Sequence, residues 1–306
     1  METDNRGASM EKSGGIDILT LVAFLAVVIL GGSNAVAVRF SNFELPPFWG
    51  AAIRFAAAAL IFWVAVFLRR IKIPKGRALY GVLIYGTLTI GIPYAFVYWA
   101  LVSVPASLAI VLLTFGPLFT FLFAWAHGQE AFRWRSLIGA IIAITGILIG
   151  LGAEIGSTVS LLPLVAIVVA VAVSAEGTVL YKSFPSSDPL VVNSLALSTG
   201  AAILVLISIF ARETWILPAS QATWIAYGYL VIAGSVLMFY SFLYVLDRWT
   251  ASATSYSTLL IPVATIIVAA WLLDEQITLR FLFGSVVVVI GVWLGAISQP
   301  KPKSSS

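Results

Sequence analysis

Ten long apolar stretches constrain the fold of this chain more than any other feature. About 20 apolar residues, rising 1.5 Å per residue, cross the roughly 30 Å hydrocarbon layer of a bilayer as a helix. Only 10% of the residues are charged, whereas an ordinary soluble domain has roughly 25%. The sequence therefore predicts an all-α membrane protein with ten transmembrane helices. The predicted spans are 17–40, 48–68, 79–101, 105–126, 133–152, 160–182, 190–211, 222–246, 250–273 and 277–297.

The inventory of reactive residues argues against several function classes. The chain has no cysteine and one histidine, His127, so we predict no disulfide, no thiol chemistry, no metal site and no cofactor. No GxxxxGK[ST] loop for ATP phosphates is present. The spans contain no histidine-based dyad, paired carboxylates or ring-forming selectivity segment, so neither an intramembrane enzyme nor a channel is favoured.

The basic residues indicate the orientation of the chain. With a cytoplasmic N-terminus, 13 of the 17 Lys and Arg residues lie on the cytoplasmic side, and Arg39, Arg212 and Arg280 lie opposite. The positive-inside rule then predicts that both termini are cytoplasmic, as an even number of spans requires. The net charge of +4 belongs to these loops and does not indicate nucleic-acid binding. We expect the polar tails 1–16 and 298–306 to be disordered.

An internal repeat divides the chain into two copies of a five-span unit. Shifted by 145 residues, the segment 106–150 aligns with 251–295 without a gap, and the matches include Glu130 with Glu275 and three pairs of glycines. We expect the copies to occupy 17–152 and 160–297. Because five is odd, the second copy should enter the membrane from the opposite side. Such inverted repeats are associated with alternating access around a site between them.

Pro117 and Pro262 are one of the matched pairs, and each lies inside a predicted span. A proline in a helix interior deletes one backbone bond and clashes with the carbonyl four residues earlier, at about 3 kcal/mol. We predict that these prolines kink their helices, and that the kinks shape a central cavity or flex during transport. The alternative is a tolerated kink without a functional role.

Several stretches resemble the EamA-type repeat of the drug/metabolite transporter superfamily. They are GGSNAVAVRF at 31–40, AAIRFAAAALIF at 51–62, PASLAIVLLTFGPLF at 105–119 and QEAFRWRSLIGAIIAITGILIG at 129–150, with a duplicate of the last two regions at 251–295. The resemblance covers nearly the whole chain. Within the superfamily, the size and the aromatic-rich third span look most like the YddG-type amino-acid exporters. This sequence departs from a strict family pattern in two respects: Gln129 and Asp274 differ although they occupy paired positions of the repeat, and the first two spans of the second copy have diverged.

The resemblance implies a ten-helix exporter of small metabolites in the bacterial inner membrane. Amino acids are the usual cargo of the YddG branch. We therefore expect a secondary transporter whose partners are a small zwitterionic substrate, the lipid bilayer and, as a candidate coupling ion, the proton. A monomer is favoured. The alternative in the same class is an exporter of lipophilic cations or drugs.

Two charged residues inside spans are candidate site residues. Glu176 is a carboxylate within the sixth span, where an ionisable group suggests a functional role. It is predicted to bind a substrate ammonium or a coupling proton, or alternatively to snorkel to the cytoplasmic interface. Arg54 needs a partner at its depth, and Asn34 or a substrate carboxylate is the candidate. Locking of neighbouring helices is the structural alternative for Arg54.

Aromatic and hydroxyl side chains complete the predicted substrate site. Tyr94 and Tyr98 are four residues apart and share a helix face, as do Tyr240 and Tyr244. Facing a cavity, such rings stack on cationic or aromatic cargo; otherwise they pack in the core or against lipid. Trp99 joins this set. Ser257 represents the hydroxyl-rich ninth span, whose side chains either bond the cargo or bond back to their own helix.

Overall fold

The computed structural model describes residues 17–42, 44–104, 109, 112–151, 160–264 and 279–297, and it is helical throughout these ranges apart from turns and connecting loops. Five helices are long and apolar enough to cross a membrane by length and composition. The protein is thus a helical membrane protein, and the count of ten spans stays a prediction. The predicted tails and the link near residue 155 lie outside the described residues.

We number the helical segments in chain order. They are α1 Ile18–Asn42, α2 Pro47–Leu68, α3 Arg77–Ala100, α4 Gly116–Ala126, α5 Trp134–Leu151, α6 Leu161–Tyr181, α7 Pro189–Phe210, α8 Gln221–Leu246, α9 Ala251–Ser255 with helical residues 257–264 after a turn, and α10 Leu279–Val292. The predicted bounds of spans one to three and five to eight agree with these helices within two residues.

The fourth span differs from its prediction. The chain turns at Thr114 and Phe115, and α4 begins only at Gly116, so that Pro117 lies in the first turn of a helix. The backbone N–H groups of the first helical turn have no hydrogen-bond partner within the helix, so proline, which lacks this N–H, loses no bond there. Its fixed φ also suits the start of a helix. The prediction of a kink inside one continuous helix was therefore wrong for Pro117, which follows a break. Pro262 lies within the helical residues 257–264.

Besides the π-helical segment Trp293–Ile297 that follows α10, two helices contain a π-helical turn within their length that the sequence analysis did not predict. The turns are Thr87–Gly91 in α3 and Ile232–Leu237 in α8, and their first residues are 145 positions apart, the same offset as the repeat. A π turn widens the helix by one residue and removes carbonyls from the regular bonding ladder. Both turns lie near the middle of their helices.

Small residues let the helices approach closely. Helix α2 packs on α7, and α5 packs on α10. A Cβ placed on Gly146 of α5 would lie 2.7 Å from the Gly284 carbonyl oxygen of α10, and one on Gly139 would lie 2.7 Å from the Gly291 carbonyl oxygen. Lipid tails are as apolar as leucine, so close van der Waals contact between backbones is what holds such helices together. The matched glycines thus form the α5–α10 contact.

On one face, the loops of the two halves cap each other's helices. Glu213, which follows α7, accepts the N–H groups of Phe48 and Trp49 at the start of α2, at 3.1 and 2.8 Å. Glu44, which precedes α2, accepts the N–H groups of Ala219 and Ser220 before α8, at 2.7 and 3.2 Å. A carboxylate at a helix N-terminus satisfies N–H groups that the helix itself leaves unpaired. We call these four contacts the reciprocal caps.

The α5–α10 contact generates a stability prediction. Gly146→Ala should destabilise the protein by about 1–3 kcal/mol, because the new methyl group meets backbone atoms that cannot move without separating the helices. Gly228→Ala in α8 is the matched control, since a Cβ there meets nothing within 4 Å. Thermal unfolding in detergent measures both, and equal midpoints for the two variants would contradict the packing argument.

The reciprocal caps generate a pH prediction. The Ser220 hydroxyl, together with the backbone N–H groups of Ser220 and Ala219, lowers the pKa of Glu44 from its ordinary value of 4.5 to about 2. A carboxyl whose pKa is lower in the folded state stabilises the fold above its unfolded pKa and loses that effect as the pH falls. The stability difference between wild type and Glu44→Gln should therefore be full at pH 7 and shrink between pH 4.5 and 2. A pH-independent difference would refute the role of the charge.

Candidate functional site

A cavity of about 280 Å³ lies where α4 and α9 meet, between α3, α6 and α8. Leu113 and Gly116 line it from the first half of the chain, and Thr258 and Ile261, their partners under the 145-residue offset, line it from the second. Pro262 also lines it. The remaining lining side chains come from α3, α4, α6, α8 and α9: Thr89, Pro93, Tyr94, Val97, Thr120, Ala170, Val171, Ser174, Ala175, Thr178, Phe242 and Ser255.

The cavity wall is apolar and uncharged. Among the residues that the structure describes, none of those lining the cavity is Asp, Glu, Lys or Arg. Most of its hydroxyl groups donate back to their own helices, as Thr178 does to the Ser174 carbonyl at 3.0 Å and Thr258 to the Ser255 carbonyl at 2.8 Å. Helical Ser and Thr side chains commonly bond in this way. The wall therefore suits apolar or aromatic groups and offers few free hydrogen-bond donors.

The predicted aromatic residues separate into different environments. Tyr94 lines the cavity and packs edge-on against Phe55, with ring centroids 4.7 Å apart. The guanidinium carbon of Arg248 lies over the Tyr244 ring, 3.4 Å from the ring centroid. Trp99 is exposed on the helix surface. Tyr240, Tyr244 and Trp99 do not line the cavity. Their predicted role in binding cargo stays a prediction.

Phe242 is a cavity residue that the sequence analysis missed. It lies between Tyr240 and Tyr244 in α8, neither of which lines the cavity. The repeat carried a usable signal, because Phe242 is the partner of the cavity residue Val97 under the 145-residue offset.

Arg54 is buried and joins three helices. Its Nε donates to the Ser235 hydroxyl at 2.9 Å, its Nη1 to the Tyr98 hydroxyl at 3.2 Å and its Nη2 to the Gly234 carbonyl at 2.9 Å. Asn34 donates to the same carbonyl at 3.2 Å. The predicted neighbours Arg54 and Asn34 therefore meet at the π turn of α8, and Arg54 ties α2 to α3 and α8.

Glu176 pairs with His127 across the first and second halves of the chain. The His127 Nε2 atom lies 3.2 Å from the Glu176 Oε1 atom, and its Nδ1 atom lies 2.9 Å from the Phe123 carbonyl oxygen. When Nδ1 carries the proton that bonds this carbonyl, a hydrogen bond between Nε2 and Oε1 requires one further proton, on either atom. The pair lies beside the cavity residues Ala175 and Thr178. Sequence reasoning missed this contact.

Ser257 is fully buried but lies outside the cavity lining. Its hydroxyl donates to the Thr254 carbonyl of its own helix at 2.9 Å. The neighbouring Ser255 and Thr258 reach the cavity instead. Within the part of the chain that the structure describes, no group of three or more His, Cys, Asp or Glu residues is arranged to hold a metal ion.

Comparison with known proteins places this geometry in a family. The EamA-like transporter family model matches residues 18–151 and again residues 161–296. An uncharacterized transporter of Archaeoglobus fulgidus is 26% identical over 89% of this chain and 97% of its own length. A probable amino-acid metabolite efflux pump of Escherichia coli strain K12 is 28% identical over 89% of this chain and 93% of its own length.

A second Escherichia coli K12 protein, the uncharacterized inner membrane transporter YedA, is 27% identical over 77% of each chain. One solved crystal structure superimposes with a TM-score of 0.78 at 20% identity and covers 93% of this chain and 99% of the other. At that identity the match shows a shared fold alone. These relatives do not test the closer resemblance to YddG-type exporters, which stays a prediction. With both halves of the chain matched, the protein belongs to the EamA-like transporter family of the drug/metabolite transporter superfamily and is a membrane transporter.

Proposed function

We propose that this protein is a secondary transporter of the bacterial inner membrane that exports amino acids or related small metabolites. The observation that carries the proposal is the cavity, which receives matched residues from both halves of the chain at the meeting of α4 and α9. Relatives named as probable amino-acid metabolite efflux pumps in Escherichia coli and Salmonella typhimurium support this class of cargo. The relative named as an inner membrane transporter supports the location.

Alternating access between two inverted five-helix repeats is the proposed mechanism. The double match to the family model and the two π turns at the repeat offset support a duplicated unit. The packing pairs also correspond under exchange of the halves: α3 packs on α6 as α8 packs on α1, while α2 packs on α7 and α5 on α10. In this proposal ten spans place both termini in the cytoplasm, and one chain suffices because it supplies both sides of the cavity.

The candidate substrate residues divide by position in this proposal. Tyr94 contacts cargo in the cavity, and Pro262 shapes its wall. Arg54, Asn34 and Tyr98 act at the π turn of α8, and Glu176 acts beside the cavity with His127. Ser257, Trp99, Tyr240 and Tyr244 require a different conformation to reach cargo. The break before Pro117 gives α4 a joint at the cavity.

An exporter of lipophilic cations is the second candidate. The uncharged, mainly apolar wall favours it, since a zwitterion loses more hydration than a delocalised cation when it enters such a site. The aromatic rings of Tyr94 and Phe242 offer faces to which a cation is attracted. The two candidates differ in cargo and share the cavity.

A cavity-filling variant tests the transport site. Ser174→Phe places a ring in the cavity wall and should lower uptake about tenfold or more, a difference that corresponds to roughly 1.4 kcal/mol or more in binding. Val169→Phe is the matched control, because it adds the same ring on the exposed side of α6. The measurement is uptake into liposomes of a panel of labelled amino acids and of a labelled phosphonium cation.

The panel also separates the two candidates. Uptake of an amino acid by wild type and by Val169→Phe, but not by Ser174→Phe, supports the proposal. Uptake of the phosphonium cation alone supports the second candidate. Equal uptake by Ser174→Phe and Val169→Phe would show that cargo does not use this cavity.

Glu176→Gln tests proton coupling in the same liposomes. The variant keeps the shape of the side chain but cannot carry the transferable proton shared with His127, so the part of uptake that depends on an imposed pH gradient should disappear. Uptake driven by the substrate gradient alone should continue. A gradient effect that survives in Glu176→Gln would remove this residue as the proton carrier.

A further inference from the structure

A buried group of side chains around Arg54 lacks a negative partner. We call Arg54, Asn34, Tyr98, Tyr227 and Ser235 the Arg54 cluster. Arg54 is 1% exposed, Tyr98 2% and Ser235 0%. Among the described residues, no carboxylate lies within ion-pair distance of the guanidinium, whose three hydrogen-bond acceptors are all neutral. A buried charge without a counter-charge costs several kcal/mol.

The cluster also has more donors than acceptors around that charge. A guanidinium carries five N–H donors, and Arg54 makes three hydrogen bonds in the described structure. The buried hydroxyl of Tyr227 has no hydrogen-bond partner there, and Tyr227 lies in the same buried core as Tyr98. The unpaired acceptor Asn34 Oδ1 is neutral and cannot balance the charge.

We propose that the Arg54 cluster is a binding site for a singly charged anionic group, either the carboxylate of the cargo or an inorganic anion such as chloride. The guanidinium supplies the charge and a planar fork of donors, and the hydroxyl groups of Tyr98 and Tyr227 rotate to donate to the same anion. The carboxylate source rests on the proposed function; the inorganic source does not.

The position of the cluster explains how cargo reaches it. Tyr98 lies one helical turn from Tyr94, a cavity residue, and their ring centroids are 6.2 Å apart. The cluster is closed in this structure because Gly234 and Ser235 of α8 accept from Arg54. When the π turn of α8 moves away from α2, the guanidinium of Arg54 becomes exposed. The anion then takes the place of the Gly234 carbonyl and the Ser235 hydroxyl as hydrogen-bond acceptor.

Binding to purified protein in detergent tests the proposal with three probes. Tryptophan fluorescence follows titration with L-leucine and with L-leucinamide, which lacks the carboxylate, and thermal unfolding compares sodium chloride with sodium methanesulfonate at equal ionic strength. In wild type, we expect one of two results: L-leucine binds at least about 10-fold more tightly than L-leucinamide, or chloride raises the unfolding midpoint relative to methanesulfonate. Arg54→Gln should remove whichever effect wild type shows.

Tyr227→Phe keeps the test decisive if Arg54→Gln fails to fold. The Tyr227 hydroxyl has no hydrogen-bond partner in the described structure. Removing this hydroxyl should therefore leave the thermal unfolding midpoint measured without anion unchanged or higher, but it should weaken anion binding about 2-fold to 10-fold. Tyr181→Phe is the matched control, because Tyr181 is buried in the same core but lies outside the cluster. A purely structural role for the cluster predicts no change in anion affinity for either tyrosine variant.

The outcomes separate the two anion sources. A preference for L-leucine over its amide that depends on Arg54 and Tyr227 identifies the cargo carboxylate. A chloride effect with the same dependence, without that preference, identifies an inorganic anion and supports the cluster even if the liposome panel rejects amino acids. Neither effect in wild type, or an effect that Tyr227→Phe leaves intact, overturns the proposal.

Discussion

The Gly234 carbonyl is the contact on which much of this arrangement depends. In a bilayer no water is at hand, so a carbonyl that leaves the helical ladder must find a donor inside the protein. The π turn of α8 presents this carbonyl, and Arg54 and Asn34 both donate to it. One irregular turn therefore fixes the positions of a buried cation, the Tyr98 hydroxyl and the neighbouring Tyr94 at the cavity.

The two π turns occupy matching positions but have different surroundings. In α8 the turn meets polar side chains. In α3 it meets close backbone and apolar contacts: a Cβ on Gly200 of α7 would lie 2.4 Å from Ile90, and one on Gly177 of α6 would lie 2.6 Å from Leu88. A charge is thus present at one turn and replaced by tight packing at the other. For a transporter, this difference makes the two halves chemically unequal in a fold whose packing pairs correspond.

Much of the fold follows from the sequence because its strongest signals are long and repeated. Span length and the absence of charge predicted the bounds of seven helices, and the matched glycines of the repeat lie in the close α5–α10 contact that the structure contains. The π turns and the break before Pro117 depend on how neighbouring helices fit, which span length and composition do not encode. The site was harder still. Sequence reasoning offered Asn34 as a partner for Arg54, but both side chains donate to the Gly234 carbonyl. The Glu176–His127 pair joins residues 49 positions apart in sequence through packing of α4 on α6.

The reciprocal caps mean that the two halves of this chain have become mutually dependent. Helix α2 relies on Glu213 from the second half, and the start of α8 relies on Glu44 from the first. A shift of 143 residues aligns Arg39 with Lys182 and Pro46 with Pro189 in the early spans of the two halves, and at this shift the counterpart of Glu213 is Arg70, a residue of opposite charge. Two copies of the first half would place an arginine where Glu213 lies, so the cap on α2 requires the second half of this chain.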